Sequence, residues 1–171
     1  MEKLKKEILN LAKDSNSVKI SKTVKDTMKG GTFHCHFHIL YDLRTLLGPS
    51  KKSYTEIGTY HGGSLCTMLQ HEYNTVYNAI DHMQVSPDQM EIVESNIDQF
   101  NIYNRRVNLY NTLSEDPVLL QKLKKIKFKT DLLFIDGCHH YPCILADFNN
   151  FMPYVNPNGF IVFDDYQDHL H

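Results

Sequence analysis

The sequence predicts an α/β protein built on a mostly parallel sheet. Two observations carry this. Five short strand-like runs alternate with four helical patterns between Tyr54 and Phe163. Each run also ends in glycines or in side chains with chemistry to offer, as in "TEIGTYHGGS", "NAIDH", "LYNTLS", "LLFIDGCHH" and "IVFDD". In an open parallel sheet, ligands bind outside the carboxyl ends of the strands. The polar chemistry of this chain gathers on that edge.

Composition sets the bounds. The chain has 171 residues, enough for one domain with a real core. Hydrophobic residues make up 42% and charged residues 22%, an ordinary globular balance. A formal net charge of -2 gives no sign of a nucleic-acid-binding surface. No apolar run approaches the ~18 residues of a membrane span. The opening stretch, MEKLKKEILNLAKD, scatters charge where a signal peptide needs an apolar core. Cys35, Cys66, Cys138 and Cys143 form no secreted disulfide framework, so a reduced, cytoplasmic setting is the default expectation.

The elements follow in order. Residues 2–14 place Leu4, Ile8, Leu9 and Leu11 on one face of a short amphipathic helix, with lysines opposite. Residues 15–32 are polar, and Gly30-Gly31 marks a break. Residues 36–47 read as a helix with Phe37, Leu40, Tyr41, Leu43 and Leu47 inward, stopped by Gly48-Pro49. Strand one is Tyr54–Ile57, followed by a helix over residues 64–71. Strand two is Val76–Ile80, followed by a helix from Pro87 to Phe100 with Pro in its first turn. Strand three is Arg106–Tyr110, with a helix from Glu115 to Lys125. Strand four is Asp131–Ile135, with a helix from Pro142 to Phe151. Strand five is Phe160–Phe163, after the turn Asn156-Pro157-Asn158-Gly159. Right-handed crossovers are expected between parallel neighbours.

The first strand-to-helix turn holds Gly58, Gly62 and Gly63, residues that let backbone turn tightly and approach a ligand. Asp81 closes strand two, where a carboxylate can accept hydrogen bonds from both hydroxyls of a ribose. The spacing is not GxGxxG, because Tyr60 stands where a dinucleotide site wants its second glycine. Glu56 would also repel phosphates. A cationic ligand without phosphates fits better, and S-adenosylmethionine (SAM) carries an ammonium and a sulfonium.

E-x-G-x-x-x-G at Glu56–Gly62, followed by Gly63-Ser64, resembles the first motif of class I SAM-dependent methyltransferases. "FIDGCHHYPCILADFNNFMPYVNPNGFIVFDDY", 134–166, resembles one branch of them, which includes macrocin-type sugar O-methyltransferases. The resemblance covers roughly residues 36–166. It implies a Rossmann-like, doubly wound domain over residues 36–171, preceded by an N-terminal helical or irregular segment over residues 1–35. It implies a cofactor site at Glu56, Gly58, Thr59, Tyr60, Gly62, Gly63, Ser64, Asp81, His82, Thr112 and Asp136. Asp136, Asp164 and Asp165 would hold a divalent metal such as Mg²⁺, and His139 would act as general base beside Asp136. Three positions depart from the branch pattern: Cys138 stands where an acid is common, His140 where a small polar residue is common, and Asn158 where a glycine is common.

The chemistry asks for such residues. Methyl transfer from a sulfonium is an in-line displacement that needs the acceptor oxygen positioned and its proton removed. An aliphatic hydroxyl is a poor nucleophile, and a hard cation on carboxylates lowers its pKa. An imidazole accepts a proton readily at neutral pH. The implied acceptor is a hydroxyl of a sugar or another small vicinal-hydroxyl compound, a catechol being one. A SAM-binding partner subunit without activity, a truncated fragment and, less favoured, a nicotinamide-dependent oxidoreductase are the alternatives. "CHHYPC", 138–143, offers soft ligands for Zn²⁺, but four ligands in six residues do not easily wrap one tetrahedral ion. "HCHFH", 34–38, brings His34, His36 and His38 close in sequence, as metal ligands, as a plain approach to the helix, or over the site mouth. The chain ends eight residues after strand five, so the last two strands usual in the family are expected to be lacking. Strand five is then an open edge, which truncation, the N-terminal segment or a homo-oligomer would explain or cover.

Overall fold

The computed structural model describes residues 6, 7, 10, 15–32, 34 and 36–164. It divides into two compact units. One comprises Lys52–Thr59, Thr75–Met83 and Arg106–His171, and the other Met1–Lys51, Tyr60–Asn74 and Gln84–Arg105. The first is a sheet unit and the second is helical.

The sheet unit carries β1 (Ser53–Ile57), β2 (Val76–Asp81), β3 (Val107–Asn111), β4 (Thr130–Ile135) and β5 (Val155–Phe163). Their order is β3-β2-β1-β4-β5, and every pairing is parallel. The expected α/β class and parallel sheet are what the structure shows. β4 is buried at all six positions. A strand covered on both faces reads as a continuous apolar run rather than an alternating one, which is why Leu132–Ile135 stands out in the sequence. Ile57, Ile80, Leu133 and Ile135 form a core with Leu119 and Leu123 of α5 (Pro117–Lys125) and Phe151 of α6 (Tyr141–Phe151). Helix α5 starts on Asp116, whose Oδ1 accepts from the Val118 amide at 2.7 Å, and it ends with Lys122, Lys124 and Lys125 in its last turn. Both ends suit the helix dipole.

At the amino end of the sheet, one carboxylate joins three strands. Asp131 Oδ2 accepts from the amides of Lys52 and Ser53 at 2.8 and 3.1 Å and from Ser53 Oγ at 2.9 Å. Its Oδ1 accepts from Asn156 Nδ2 at 2.8 Å. Burial pushes this carboxyl up, but the bonds from Asn156, Lys52 and Ser53 outweigh it and leave it below the usual range.

Strand five is longer than expected, because Val155 already pairs with Thr130 before a register shift. The turn therefore lies inside the strand as an irregularity. Asn158 adopts φ +61°, and a Cβ on Gly159 would sit 2.7 Å from the Asp131 carbonyl oxygen. Asparagine tolerates the left-handed conformation that other side chains resist. Asn158 thus makes the turn for which a glycine is common.

The helical unit carries α1 (Ser15–Thr27), α2 (His38–Leu47), α3 (Gly63–Leu69) and α4 (Gln89–Phe100). Helix α1 was not expected in a stretch read only as polar. Its buried positions are Ser17, Ser21 and Val24, one helical face filled mostly by hydroxyls. Val24, Met28, Cys66 and Phe100 cluster there. The amphipathic helix expected over residues 2–14 lies outside the described residues except at 6, 7 and 10, which are helical. His71 is buried between Thr45, Tyr41 and Tyr73. Its Nδ1 accepts from the Tyr73 amide at 3.1 Å, so Nε2 carries the proton and donates to Thr45 Oγ1 at 3.0 Å. Burial, then Arg44 and Arg105, push its pKa down to about 3.

Candidate functional site

The strand order reverses at β1, which has β2 on one side and β4 on the other. Such a reversal opens a crevice at the carboxyl ends of the strands. Gly58 stands there with φ +85°. A Cβ at this position would lie 2.0 Å from the Asp136 carbonyl oxygen and 2.7 Å from Gly137 Cα. The Gly58 amide donates to Ile80 O at 2.9 Å, and the Asp136 amide to Ile57 O at 2.8 Å. Only glycine lets the ends of β1 and β4 close to this distance.

Asp81 ends β2 beside them. Its Oδ2 accepts from the Thr59 amide at 2.8 Å and its Oδ1 from the Met83 amide at 2.7 Å. His82 Nδ1 stands 4.0 Å from Asp81 Oδ1. Glu56 is fully buried, and its Oε2 accepts from Tyr54 Oη at 2.7 Å. Thr112 donates its amide to Asp81 O at 3.0 Å and its hydroxyl to Asp116 Oδ2 at 2.7 Å. The Thr112 side chain therefore braces the start of α5, and its backbone is what borders Asp81.

Asp136 and Asp164 end neighbouring strands. Each amide closes the last rung of its ladder, Asp136 on Ile57 O and Asp164 on Ile135 O at 3.0 Å. Asp165 lies outside the described residues. His139 Nε2 is 3.9 Å from Asp136 Oδ1, an electrostatic contact longer than a hydrogen bond. The imidazole is 61% exposed and the carboxylate 15%. His140 is the N-cap residue of α6 and provides no side-chain cap bond. Asp147 of α6 is buried and accepts from Ser114 Oγ. Burial pushes its carboxyl up against the opposing pull of Ser114, and Glu115 pushes it further up.

The rest of the glycine loop belongs to the helical unit. Tyr60 holds a left-handed φ of +50°, a costly conformation for a bulky residue, with its ring 3.9 Å from that of His61. Gly62, at φ +90°, is the N-cap of α3, and Gly63 and Ser64 open that helix, both buried. A Cβ on Gly63 would meet Phe37 at 2.9 Å and Thr32 at 3.0 Å. The segment before α2 therefore packs on the loop's backbone. His34 and His36 stand ring to ring at 5.0 Å beside Phe37.

Two loop supports escaped the sequence reading. Gln89 Nε2 donates to Tyr60 O at 2.9 Å, while its Oε1 accepts from the Val85 amide at 2.8 Å. Asn96 donates to His61 O at 2.8 Å and to Lys29 O at 2.9 Å, and accepts from the Lys29 amide at 2.8 Å. Both side chains are fully buried. The available signal was their spacing: Gln89, Ile92, Val93, Asn96 and Phe100 mark one helical face, and two polar residues interrupt it. In the "CHHYPC" stretch Cys138 is exposed and Cys143 half-buried. Among the described residues no cluster of three metal-ligating side chains includes Cys138, Cys143, Asp136 or His139.

A family described as methyltransferase domain matches residues 55–166. An uncharacterized protein of Acanthamoeba polyphaga mimivirus is 40% identical over 149 residues, covering 87% of this chain and 67% of that protein. The O-methyltransferase TomG of Streptomyces achromogenes, solved with SAM, aligns with a TM-score of 0.62 at 16% identity, over 90% of this chain and 66% of its own. The TDP-rhamnose 3'-O-methyltransferase of calicheamicin biosynthesis aligns with a TM-score of 0.57 at 15% identity, over 90% of this chain and 78% of its own. At these identities the structural likeness is one of fold. The chain spans about two thirds of the length of the mimivirus protein and of TomG.

Proposed function

Because the chain belongs to the methyltransferase-domain family and is a SAM-dependent methyltransferase, we propose that its acceptor is a hydroxyl oxygen of a sugar or other small vicinal-hydroxyl compound. A divalent cation and His139 would assist the transfer. The single observation that carries this reading is the contact of Gly58 with the Asp136 backbone. It brings the glycine turn after β1 and the end of β4 to one point of the sheet edge. The sugar acceptor is suggested by the motif at 134–166 and is in keeping with the fold shared with the TDP-rhamnose enzyme.

The residues present suit both groups. Asp81, held by two backbone amides at the end of β2, is the type of group that accepts from the hydroxyls of a ribose. Gly58, with no Cβ, lets the turn after β1 close against the backbone at the end of β4. Asp136 and Asp164 are oxygen donors on adjacent strand ends, the ligand type a hard cation prefers. A divalent cation, when bound, supplies Lewis-acid polarisation of the acceptor hydroxyl. His139, whose Nε2 stands 3.9 Å from Asp136 Oδ1, takes the hydroxyl proton. A base of this kind is typically worth ~10²–10⁴ in rate. Family membership displaces the oxidoreductase alternative. SAM binding without turnover remains an outcome of the experiment.

Calorimetric titration with SAM, with NAD as control and with and without Mg²⁺, is the test. Saturable SAM binding without NAD binding is expected. Asp136→Ala should abolish Mg²⁺-dependent turnover and leave SAM affinity largely intact. Loss of SAM binding with unchanged Mg²⁺ affinity would overturn the role given to Asp136.

A further inference from the structure

The loop that carries His139 is bracketed by two cysteines that the methyl-transfer reading does not use. We propose that Cys138 and Cys143 are a modification site, a thiol pair that a peroxide oxidises to a disulfide closing the loop around His139 and His140. The backbone brings the two together. His140 is extended and caps α6, and its carbonyl accepts from the amides of Cys143 and Ile144 at 2.9 and 3.1 Å. Cys143 is thus the third residue of the helix, and Cys138 lies two residues before the cap. Helical side chains lean toward the N-terminus, so the Cys143 thiol leans back toward the incoming loop. There it lies within hydrogen-bonding reach of the Cys138 thiol. Cys138 is exposed to solvent, while Cys143 is half-buried. The hydrogen bond to Cys138, then burial, hold the Cys143 thiol above its ordinary value.

The steps balance with one hydrogen peroxide. The Cys138 sulfur attacks a peroxide oxygen, the O–O bond breaks, and one water leaves with the thiol proton. Cys138 is then a sulfenic acid. The Cys143 sulfur attacks the Cys138 sulfur, the S–O bond breaks, and a second water leaves with the Cys143 proton. Two thiols have lost two electrons to one peroxide. The product ring holds His139 and His140 between its sulfurs and restrains the loop that joins Asp136 to α6.

The chain's own cleavage sites make the test clean. Trypsin releases residues 130–171 as one fragment with Cys138 and Cys143 as its two cysteines, while Cys35 and Cys66 fall in separate fragments, 30–44 and 53–105. The folded full chain is treated with hydrogen peroxide, alkylated in denaturant and digested. Fragment 130–171 should be two hydrogens lighter, take up no alkylating agent, and recover both thiols after dithiothreitol. In Cys143→Ser, Cys138 should instead be trapped by dimedone. Two alkylated thiols in that fragment after peroxide, or a disulfide joining it to fragment 30–44, would overturn the proposal. The readout is a mass, so it stands or falls separately from SAM binding and methyl transfer.

Discussion

Single residues set the sharpest constraints. Gly58 faces two at once: a left-handed φ and a backbone carbonyl where a Cβ would be. Gly58→Ala is expected to cost about 2–4 kcal/mol of stability and to remove SAM binding, read by urea unfolding and calorimetry. Normal SAM binding by the Gly58→Ala variant would show that the strand ends can separate at little cost. His71 gives a pH signature. Its folded pKa, about 3, lies below the ordinary 6.5, so its contribution is complete above pH ~6.5. As the pH falls from there toward ~3, the unfolded chain takes up a proton that the folded chain refuses. Stability should drop by up to ~1.4 kcal/mol per pH unit in that window. His71→Gln should flatten that part of the profile, measured by urea midpoints at about pH 7 and about pH 5. The apolar run before Asp136 was legible at this scale, because a buried strand that stops in a carboxylate is visible in any window of sequence. The left-handed Tyr60 was not, since its conformation is held by Gln89, a partner 29 residues away.

Elements depend on polar side chains that reach across them. Asp131 ties the starts of β1, β4 and β5. Asp131→Ala removes the acceptor of the Lys52 and Ser53 amides and of the Asn156 side chain and should cost about 2–4 kcal/mol. Asp131→Asn keeps an oxygen for Lys52 and Ser53 and should recover part of that loss. Because this carboxyl lies below its ordinary pKa, its contribution is intact above ~4 and is lost as acid titrates it through the lowered value. Asn96→Ala should cost a comparable ~2–4 kcal/mol, since three groups of Lys29 and His61 lose their partner. Strand β4 was readable because burial at all six positions leaves a dense apolar run. Helix α1 was not, because its inward face presents Ser17 and Ser21, and hydroxyl side chains carry no hydrophobic period. The extension of β5 back to Val155 was hidden for a related reason: Pro157 and Gly159 announce a turn, and only the pairing with Thr130 shows that the strand has already begun.

For the molecule as a whole, a ligand that binds only the folded state raises stability by mass action. SAM at about one hundred times its dissociation constant should add ~2.7 kcal/mol, seen as a raised unfolding midpoint that NAD does not reproduce. The sheet order has a further consequence, which concerns the time at which its parts exist. β1 is the central strand, yet its two neighbours are made far apart: β2 begins 23 residues after β1 begins, and β4 begins 77 residues after. At ~5–20 residues per second of synthesis, the ribosome delivers β4 roughly 4–15 seconds after β1. During that interval a nascent β3-β2-β1 half-sheet has a bare flank along Tyr54–Ile57, residues that are buried in the finished sheet. The strand that organises the finished site is therefore the one a newborn chain must shield longest.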